Sequence, residues 1–468
     1  MASLADTLRQ HGAAYLADHR LSTPQAKAWR GIVACRTAAL GGQRLACDAC
    51  GHSHWQYHSC RNRHCPQCGA RAKDAWLQGR LAEVLSVPYA HLVFTLPHCL
   101  NGLYGVHPRW LIDALFASAA KTLSEFAANP KWMRVTNGQP AFTLVLHTWT
   151  QELAVHLHVH SVMACGVLAN DGSWSAPARK PDFLFPVRAL SKVYRGKFMS
   201  ALAAAHKAGD LEHDPQARPD AWAQRQRQLY RHDWVVYARA PLGGPAQVLE
   251  YLSRYTHRTA VGNERIKAVT ERGVVFSARA DDKGGKRAVR LPGKEFVRRF
   301  MQHILPTGLK RIRHYGVLAS ACKGEALRRA RSALGMPAPS PRALECATGF
   351  LTRVARVDAQ QCPCCRTGRL PGGGVAGREE AFARTLRHRS ARRCTSPRAG
   401  AAMTGLWGLL PALAWCASTR RGVLRASGIA AAHKWVAALA IDGAKWGLKC
   451  WRAATLQSRL AASQISPP

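Results

Sequence analysis

Histidine side chains alternate along one short segment of this chain. Residues 156–160 read His-Leu-His-Val-His, within the strand-like stretch Phe142 to Val167. Alternate residues of a strand point to one face, so His156, His158 and His160 share a face and apolar residues take the other. Imidazoles at this spacing suit a divalent cation. A set of histidines satisfied within a core is the alternative interpretation.

The cation needs a third protein ligand, and the sequence offers several. His147, Gln151 and Glu152 lie shortly before the histidine strand, and each carries a donor atom for a metal ion. The sequence does not choose among them.

Tyr251 and Tyr255 are four residues apart, which predicts that they share one face of a helix over residues 245–257. A phenol has a pKa of about 10, so it needs a metal or a cationic neighbour to act as a nucleophile. Arg254 and Arg258 supply such charges. Two packed aromatic residues are the alternative. A DNA strand-transfer enzyme can use these two groups together: the metal ion polarises a phosphodiester, and the tyrosine attacks its phosphorus atom.

Apolar patterns predict the elements that must hold these residues. Strands are expected at residues 91–96 and 142–147, followed by the histidine strand, and at 234–238. Helices are expected at residues 103–128, 189–207 and 295–304, with a small antiparallel meander over residues 266–291.

The overall composition favours a DNA-binding protein. The chain has 468 residues, with 67 Lys+Arg against 27 Asp+Glu and a formal net charge of +40. Each contact between a basic side chain and a phosphate releases counterions from the nucleic acid, which makes the free energy of binding more favourable. The N-terminus has no signal-peptide pattern and no apolar run is long enough for a membrane span, so we expect a cytoplasmic, nucleoid-associated protein.

Two close cysteine pairs predict a structural zinc site. Cys47 and Cys50 form one Cys-x-x-Cys pair, and Cys65 and Cys68 form the other. Two such pairs complete a tetrahedron around Zn2+, which makes the site structural rather than catalytic. Five nearby side chains could replace one of these ligands or together hold a second ion: Cys35, His52, His54, Cys60 and His64.

A further cluster consists of Cys362, Cys364 and Cys365, with Cys346 upstream. A second zinc site here would need a partner pair, and none is evident in the sequence, so free thiols in a loop are the favoured interpretation.

Basic residues near these motifs are candidates for DNA contacts. They comprise Arg61 and Arg63 beside the cysteines, Lys192, Arg195 and Lys197 on the predicted helix 189–207, and Arg254 and Arg258 beside the tyrosines.

Taken in order, these segments resemble a known family. The runs CDACGHSHWQYHSCRNRHCPQCG, HLVFTLPH, LHTWTQELAVHLHVHSVMACG, LSKVYRGKF and YLSRYTHRTAVGNERI look like those of the two-tyrosine rolling-circle transposases of bacterial insertion sequences. These are members of the HUH endonuclease superfamily. The resemblance covers about residues 30 to 365. Leu157 departs from the pattern, because proline is expected there, and the change should leave the ligands intact.

The resemblance implies an α+β fold, in which an antiparallel sheet of HUH type is flanked by helices and preceded by a small zinc-binding domain. It implies that His158 and His160 hold a catalytic Mg2+ or Mn2+ and that Tyr251 and Tyr255 are the nucleophile pair. The expected reaction is attack by one tyrosine on single-stranded DNA at a transposon end, which gives a 5'-phosphotyrosine and then transfer to target DNA. The oligomeric state is not predicted.

Other classes of protein share some of these motifs. A plasmid replication initiator or a conjugative relaxase would share the histidines, and the cysteine module argues against both. A noncatalytic zinc DNA-binding protein and a metal-dependent nuclease that uses water are the remaining alternatives.

The expected domain boundaries follow the motifs. An N-terminal helical and zinc-binding domain covers residues 1–85, and the catalytic domain covers residues 86–320. A cysteine-containing segment covers residues 321–368, and residues 369–468 form a basic Ala/Arg-rich tail that we expect to be poorly ordered or to bind DNA nonspecifically.

Overall fold

A computed structural model describes residues 2–178, 184–231, 233–242, 247, 259–280, 285–338, 345, 347–356, 358, 360–370 and 372–376. The chain divides into two compact units. Unit 1 comprises Met1–Ala34 and Cys60–Ala343, and unit 2 comprises Cys35–Ser59 and Leu344–Pro468. This division differs from the boundaries expected at residues 85, 320 and 368, because residues 35–59 pack with chain that follows residue 344.

The strands of the described residues are β1 Gly42–Ala46, β2 Ser53–Tyr57, β3 Tyr89–Thr95, β4 Gln139–Trp149, β5 Val155–Leu168, β6 Trp174–Ser175, β7 Val236–Leu242, β8 Ile266–Thr270, β9 Gly273–Arg279, β10 Lys286–Pro292, β11 Ile312–Gly316 and β12 Gly372–Ala376. The helices are α1 Leu4–Leu16, α2 Thr23–Ala34, α3 Ala70–Leu81, α4 Asn101–Val106, α5 Pro108–Ala128, α6 Pro130–Met133, α7 Val187–Ala208, α8 Pro219–Arg231, α9 Gly293–Gln302, α10 Lys323–Ala333 and α11 Ala347–Ala355. None of these helices has the length and apolar character needed to cross a bilayer.

Unit 1 is built on one antiparallel sheet with the strand order β11-β4-β5-β3-β7, and β6 pairs with β5 at one side. β5 carries the histidines and lies between β3 and β4. Its register places His158 opposite His147 on β4 and opposite Thr95 on β3. The predicted α+β class, with an antiparallel sheet and flanking helices, is confirmed.

Helices cover one face of this sheet. Leu157 and Val159 of β5 are fully buried in a core that they share with side chains of α5 and α7, among them Phe116 and Phe198. The alternation along β5 therefore directs His158 and His160 to the opposite face. Further along that face, α10 covers a second, smaller core around Val162 and Ala164.

Several predicted elements appear with changed limits. The expected helix over residues 103–128 is two helices, because Pro108 begins α5 after a break at His107. The meander is present as β8, β9 and β10. The basic stretch at residues 310–314 belongs in part to the edge strand β11, which the sequence analysis did not predict. The tyrosine helix, apart from Gln247, lies outside the described residues.

Unit 2 contains a three-stranded sheet with the order β12-β1-β2. β1 and β2 form a hairpin, and Gly42 of β1 pairs with Ala376 of β12. Residues 372–376 were expected to belong to the tail, so the tail prediction is wrong for them. The residues from 377 onward lie outside the described part of the chain.

Candidate functional site

Three histidines of unit 1 form a compact group on the face of the sheet opposite α5 and α7. One ring nitrogen of each of His147, His158 and His160 lies within 4.8 Å of those of the other two. The ring centroids of His147 and His160 are 4.6 Å apart, and those of His158 and His160 are 4.9 Å apart. His147 and His160 are buried. Because β4 and β5 are adjacent, the cross-strand register brings His147 to the pair that sequence spacing predicted.

Two of these rings are oriented by hydrogen bonds from the side away from the group. The Nδ1 atom of His158 lies 3.0 Å from the carbonyl oxygen of His156, and the Nδ1 atom of His160 lies 3.1 Å from Nε2 of His91. A carbonyl oxygen can only accept, so Nδ1 of His158 carries the proton and its Nε2 keeps a free lone pair. Such outer partners fix the tautomer of metal-binding histidines.

Burial also sets the protonation state of the group. Desolvation, with a smaller contribution from His156, lowers the pKa of His158 to about 4. The imidazole is therefore neutral at pH 7, which is the form that binds metal ions. His303, which directly follows α9, is buried and contacts the carbonyl oxygen of Leu153 at 3.0 Å and Thr148 Oγ1 at 3.1 Å.

Gln151 and Glu152, the other two candidates for the third ligand, lie in the turn between β4 and β5. The carbonyl oxygen of Gln151 accepts a hydrogen bond from Arg265. The carboxylate of Glu152 forms an ion pair with Arg287. Among these candidates, His147 is the residue that the structure groups with His158 and His160.

The cysteines combine differently from the expectation. In unit 2, Cys47 and Cys50 lie with Cys362 and Cys365, and the four Sγ atoms are all within 4.8 Å of one another. The expected single site of Cys47, Cys50, Cys65 and Cys68 is therefore wrong. The interpretation of Cys362 and Cys365 as unpartnered thiols is wrong as well, because the hairpin β1–β2 supplies the pair that was missing.

Cys65 and Cys68 belong to unit 1, where Cys60 joins them. The Sγ atoms of Cys60 and Cys68 are 3.6 Å apart. Of the alternative ligands Cys60 and His64, Cys60 is the one that groups with Cys65 and Cys68 among the described residues. The Nε2 atom of His64 accepts from Arg63 at 3.3 Å, and burial lowers the pKa of His64 to about 3.

The basic residues proposed as DNA contacts have different environments. Arg61 and Lys192 are exposed. Arg63 donates to the carbonyl oxygen of Leu309 at 2.8 Å, Arg195 donates to that of Tyr230 at 3.3 Å, and Lys197 pairs with Glu125 at 2.5 Å. The latter three side chains therefore hold elements together within unit 1.

The cations of α7 also lie on a different side of the sheet from the histidines. Tyr194 and Phe198 of α7 are buried in the core beneath Leu157 and Val159. α7 is therefore in the helix layer, opposite the face that His158 occupies. Tyr251, Arg254, Tyr255 and Arg258 lie outside the described residues.

Two functional candidates were missed by the sequence analysis. His91 on β3 is buried against His160, and His98 contacts Nδ1 of His156 at 2.9 Å through its Nε2. Both occur in the run HLVFTLPH, which was interpreted only as an apolar strand ended by a proline. The sequence shows a histidine at the start of this predicted strand, and the strand register, which places Val93 opposite His160 and Thr95 opposite His158, brings it to the group.

Comparison with known proteins matches the chain to transposase families. The family model described as "Putative transposase" matches residues 141–326, and that described as "Transposase zinc-binding domain", of IS91 type, matches residues 7–96. The "Putative transposase y4qJ" of Sinorhizobium fredii is 38% identical over 377 residues, which cover 78% of this chain and 94% of that protein. The transposase for insertion sequence element IS801 of Pseudomonas savastanoi pv. phaseolicola is 26% identical over 352 residues, covering 74% of this chain and 83% of that protein.

A solved structure of the conjugative relaxase TrwC in complex with oriT DNA is 16% identical. The alignment covers 53% of this chain and 72% of that chain with a TM-score of 0.19, too low to bear on the fold of this chain.

Proposed function

The chain belongs to the family of IS91-type transposases of insertion sequences, and from this premise we propose that it nicks single-stranded DNA at the ends of its element by metal-assisted attack of a tyrosine. The observation that carries the proposal is the group formed by His147, His158 and His160 on the face of the sheet opposite α5 and α7. A zinc-binding domain accompanies this catalytic part.

The donor set fits a divalent ion. The three histidines offer nitrogen ligands within a single group, and the neutral state of His158 leaves a lone pair on its Nε2 atom. Neutral nitrogen ligands favour Mn2+ over Mg2+, because Mg2+ prefers carboxylate and water oxygens. When bound, such an ion polarises the scissile phosphate as a Lewis acid.

The residues around this group keep the ligands in one orientation. The carbonyl oxygen of His156 holds the ring of His158, and His91 holds that of His160. Rings fixed in this way need no rearrangement when the phosphate arrives, which is how preorganised sites lower a barrier.

Tyr251 and Tyr255 are the proposed nucleophiles. The phenol oxygen of one tyrosine forms a bond to phosphorus, the bond from phosphorus to the 3'-oxygen breaks, and that oxygen leaves as a free 3'-OH. The element's strand remains joined to the protein as a 5'-phosphotyrosine, which conserves the energy of the phosphodiester. The second tyrosine then cuts again or resolves the transfer to target DNA, and the free 3'-OH primes rolling-circle replication.

The excess of basic residues, with a formal net charge of +40, favours binding to DNA along the chain. The exposed side chains of Arg61 and Lys192 suit contacts with phosphates. A cytoplasmic, nucleoid-associated location stays a prediction.

The test is incubation with labelled single-stranded DNA from the element's end and Mn2+ or Mg2+, followed by a denaturing gel. We expect an adduct that survives detergent with the wild-type chain and with Tyr230→Phe, which changes an exposed tyrosine on α8. The double variant Tyr251→Phe/Tyr255→Phe should give none. The two single variants report whether one phenol or both are needed.

The metal dependence adds a second criterion. Because the donors are imidazoles, Mn2+ should support half-maximal cleavage at a lower concentration than Mg2+. Metal-dependent cleavage without an adduct would favour a nuclease that uses water. Binding without any cleavage, on DNA that carries the correct end, would favour a noncatalytic DNA-binding protein.

A further inference from the structure

A second group of potential metal ligands lies entirely in unit 2, away from the histidines in sequence. It joins Cys47 and Cys50, which follow β1, to Cys362 and Cys365, which follow α11. The Sγ atoms of Cys47 and Cys365 are 3.7 Å apart, and those of Cys50 and Cys362 are 3.7 Å apart.

These distances match thiolates around one ion. A zinc–sulfur distance of about 2.3 Å in a tetrahedron places neighbouring sulfur atoms about 3.8 Å apart. A covalent bond between sulfur atoms would need about 2.05 Å. The two distances of 3.7 Å therefore fit sulfur atoms on one Zn2+ and are too long for disulfides, and all four Sγ atoms lie within 4.8 Å of one another.

Backbone amides point at the sulfur atoms in both pairs. The Sγ atom of Cys47 accepts from the amide of Ala49 at 3.4 Å and from that of Cys50 at 3.5 Å. The Sγ atom of Cys362 accepts from the amide of Cys364 at 3.4 Å, and that of Cys365 accepts from Gly368 at 3.3 Å. Hydrogen bonds to sulfur favour the charged thiolate, which is the form that binds zinc.

The two loops that carry these pairs resemble each other. The amide of Cys47 donates to the carbonyl oxygen of His52 at 2.8 Å, and the amide of Cys362 donates to that of Gly368 at 2.9 Å. Each loop thus closes on itself around its own cysteine pair. The loops are also joined to each other, because the amide of Asp48 donates to the carbonyl oxygen of Arg369 at 3.0 Å and the amide of Arg369 donates to Asp48 Oδ1 at 2.7 Å.

One side of the group packs closely against apolar side chains. Cys362 is fully buried among Leu45, Leu351 and Leu370. A Cβ atom added at Gly368 would lie 2.4 Å from the Sγ atom of Cys47, so only glycine fits this position beside the sulfur atoms. Apolar side chains therefore shield Cys47 and Cys362, which are buried, whereas Cys50 is exposed at the surface of the group.

We propose that Cys47, Cys50, Cys362 and Cys365 bind a structural Zn2+ that fastens the hairpin β1–β2 to the chain after α11. Four protein ligands leave no open position, so this ion stabilises the fold and takes no part in catalysis. Cys50 and Cys362 are 312 residues apart, so the ion closes a loop that spans the whole catalytic part. The zinc-binding module that begins near the N-terminus is therefore completed by the chain beyond residue 360.

Zinc content of the purified full chain, measured by elemental mass spectrometry under reducing conditions, tests this proposal. The double variant Cys362→Ser/Cys365→Ser should hold about one zinc ion fewer per chain than the wild type. Cys364→Ser is the matched control, because Cys364 lies between these ligands, is exposed and is not in the group. Equal zinc content in the double variant and the control would overturn the proposal.

Alkylation of the wild-type chain gives a test that does not depend on the folding of a variant. Cys50 and Cys364 are both exposed. Exposure alone predicts equal reactivity, whereas bound zinc should protect Cys50 until a chelator is added and leave Cys364 reactive from the start. Equal rates without chelator, or a requirement for reductant rather than chelator, would contradict a zinc site. This outcome is independent of whether the chain cleaves DNA.

Discussion

His91 shows how a single side chain can act on the candidate site without entering it. It lies on β3, is buried, and holds Nδ1 of His160 at 3.1 Å with its own Nε2. If His160 binds a metal ion through Nε2, the proton of that ring stays on Nδ1 and is donated to His91. We therefore predict that His91 is a positioning residue whose effect appears in metal affinity.

We expect His91→Ala to weaken the binding of Mn2+ by about 10- to 100-fold, because loss of an outer partner frees the ligand ring. His91→Gln should restore part of the affinity, since an amide can still accept a hydrogen bond from Nδ1. Titration calorimetry with Mn2+ alone measures both variants.

His98→Ala is the control for this prediction. His98 forms a similar contact, at 2.9 Å, with His156, which is not in the metal-binding group. Its removal should change the affinity much less. If His91→Ala and His98→Ala bound Mn2+ as tightly as the wild type, His91 would have no positioning role.

Successive side chains of β5 face opposite sides of the sheet, one side towards the hydrophobic core and the other towards the candidate site. Leu157 and Val159 fill the core against the helices, while His158 and His160 face the other way. The strands on both sides, β3 and β4, complete the sheet around it. The position of the ligands therefore depends on the packing of the residues between them.

Leu157→Ala should lower the free energy of unfolding by about 2–5 kcal/mol, because the cavity forms at a position that is 1% exposed. The matched change Leu81→Ala lies at the end of α3, where Leu81 is 46% exposed, and should cost far less. Urea unfolding followed by circular dichroism measures both. Equal losses would show that the packing of β5 is not the source of stability here.

Over the molecule as a whole, buried histidines couple stability to pH. Burial lowers the pKa of His303 to about 4, and burial together with Arg80 and Lys323 lowers that of His314 to about 4. Both rings are neutral in the folded chain, whereas an unfolded histidine titrates at about 6.5. The unfolded state therefore takes up protons first as the pH falls, which destabilises the fold.

We expect the free energy of unfolding to be nearly constant, as far as these histidines are concerned, above about pH 6.5 and to fall steadily between about pH 6.5 and pH 4. Below that range both states are protonated and the histidine contribution levels off. Unfolding of the wild type and of His314→Gln at a series of pH values measures the slope, which should be shallower in the variant. The same slope in both chains would contradict a role for His314.

Much of the molecule follows from local patterns in the sequence. The period of two in residues 156–160 predicted that His158 and His160 share a face of a strand, and the spacing within each Cys-x-x-Cys pair predicted sites that bring two sulfur atoms close together. The resemblance to a known family, carried by the order of such motifs along the chain, implied the α+β class. The shared strand face and the close cysteine pairs depend on residues that are neighbours in sequence, so local backbone geometry determines their relation.

The partners of these local groups were decided by packing. His147 reaches His158 through the register of β4 and β5, His91 reaches His160 across β3 and β5, and Cys50 meets Cys362 although 312 residues separate them. The cysteine spacing predicted close pairs of thiols, but the prediction combined the pair Cys47 and Cys50 with the wrong second pair. Each pair has the same local geometry whichever other pair it contacts, so spacing alone cannot identify that second pair. Contacts between distant segments depend on strand order and on the burial of apolar faces, and these are properties of the folded chain rather than of any segment.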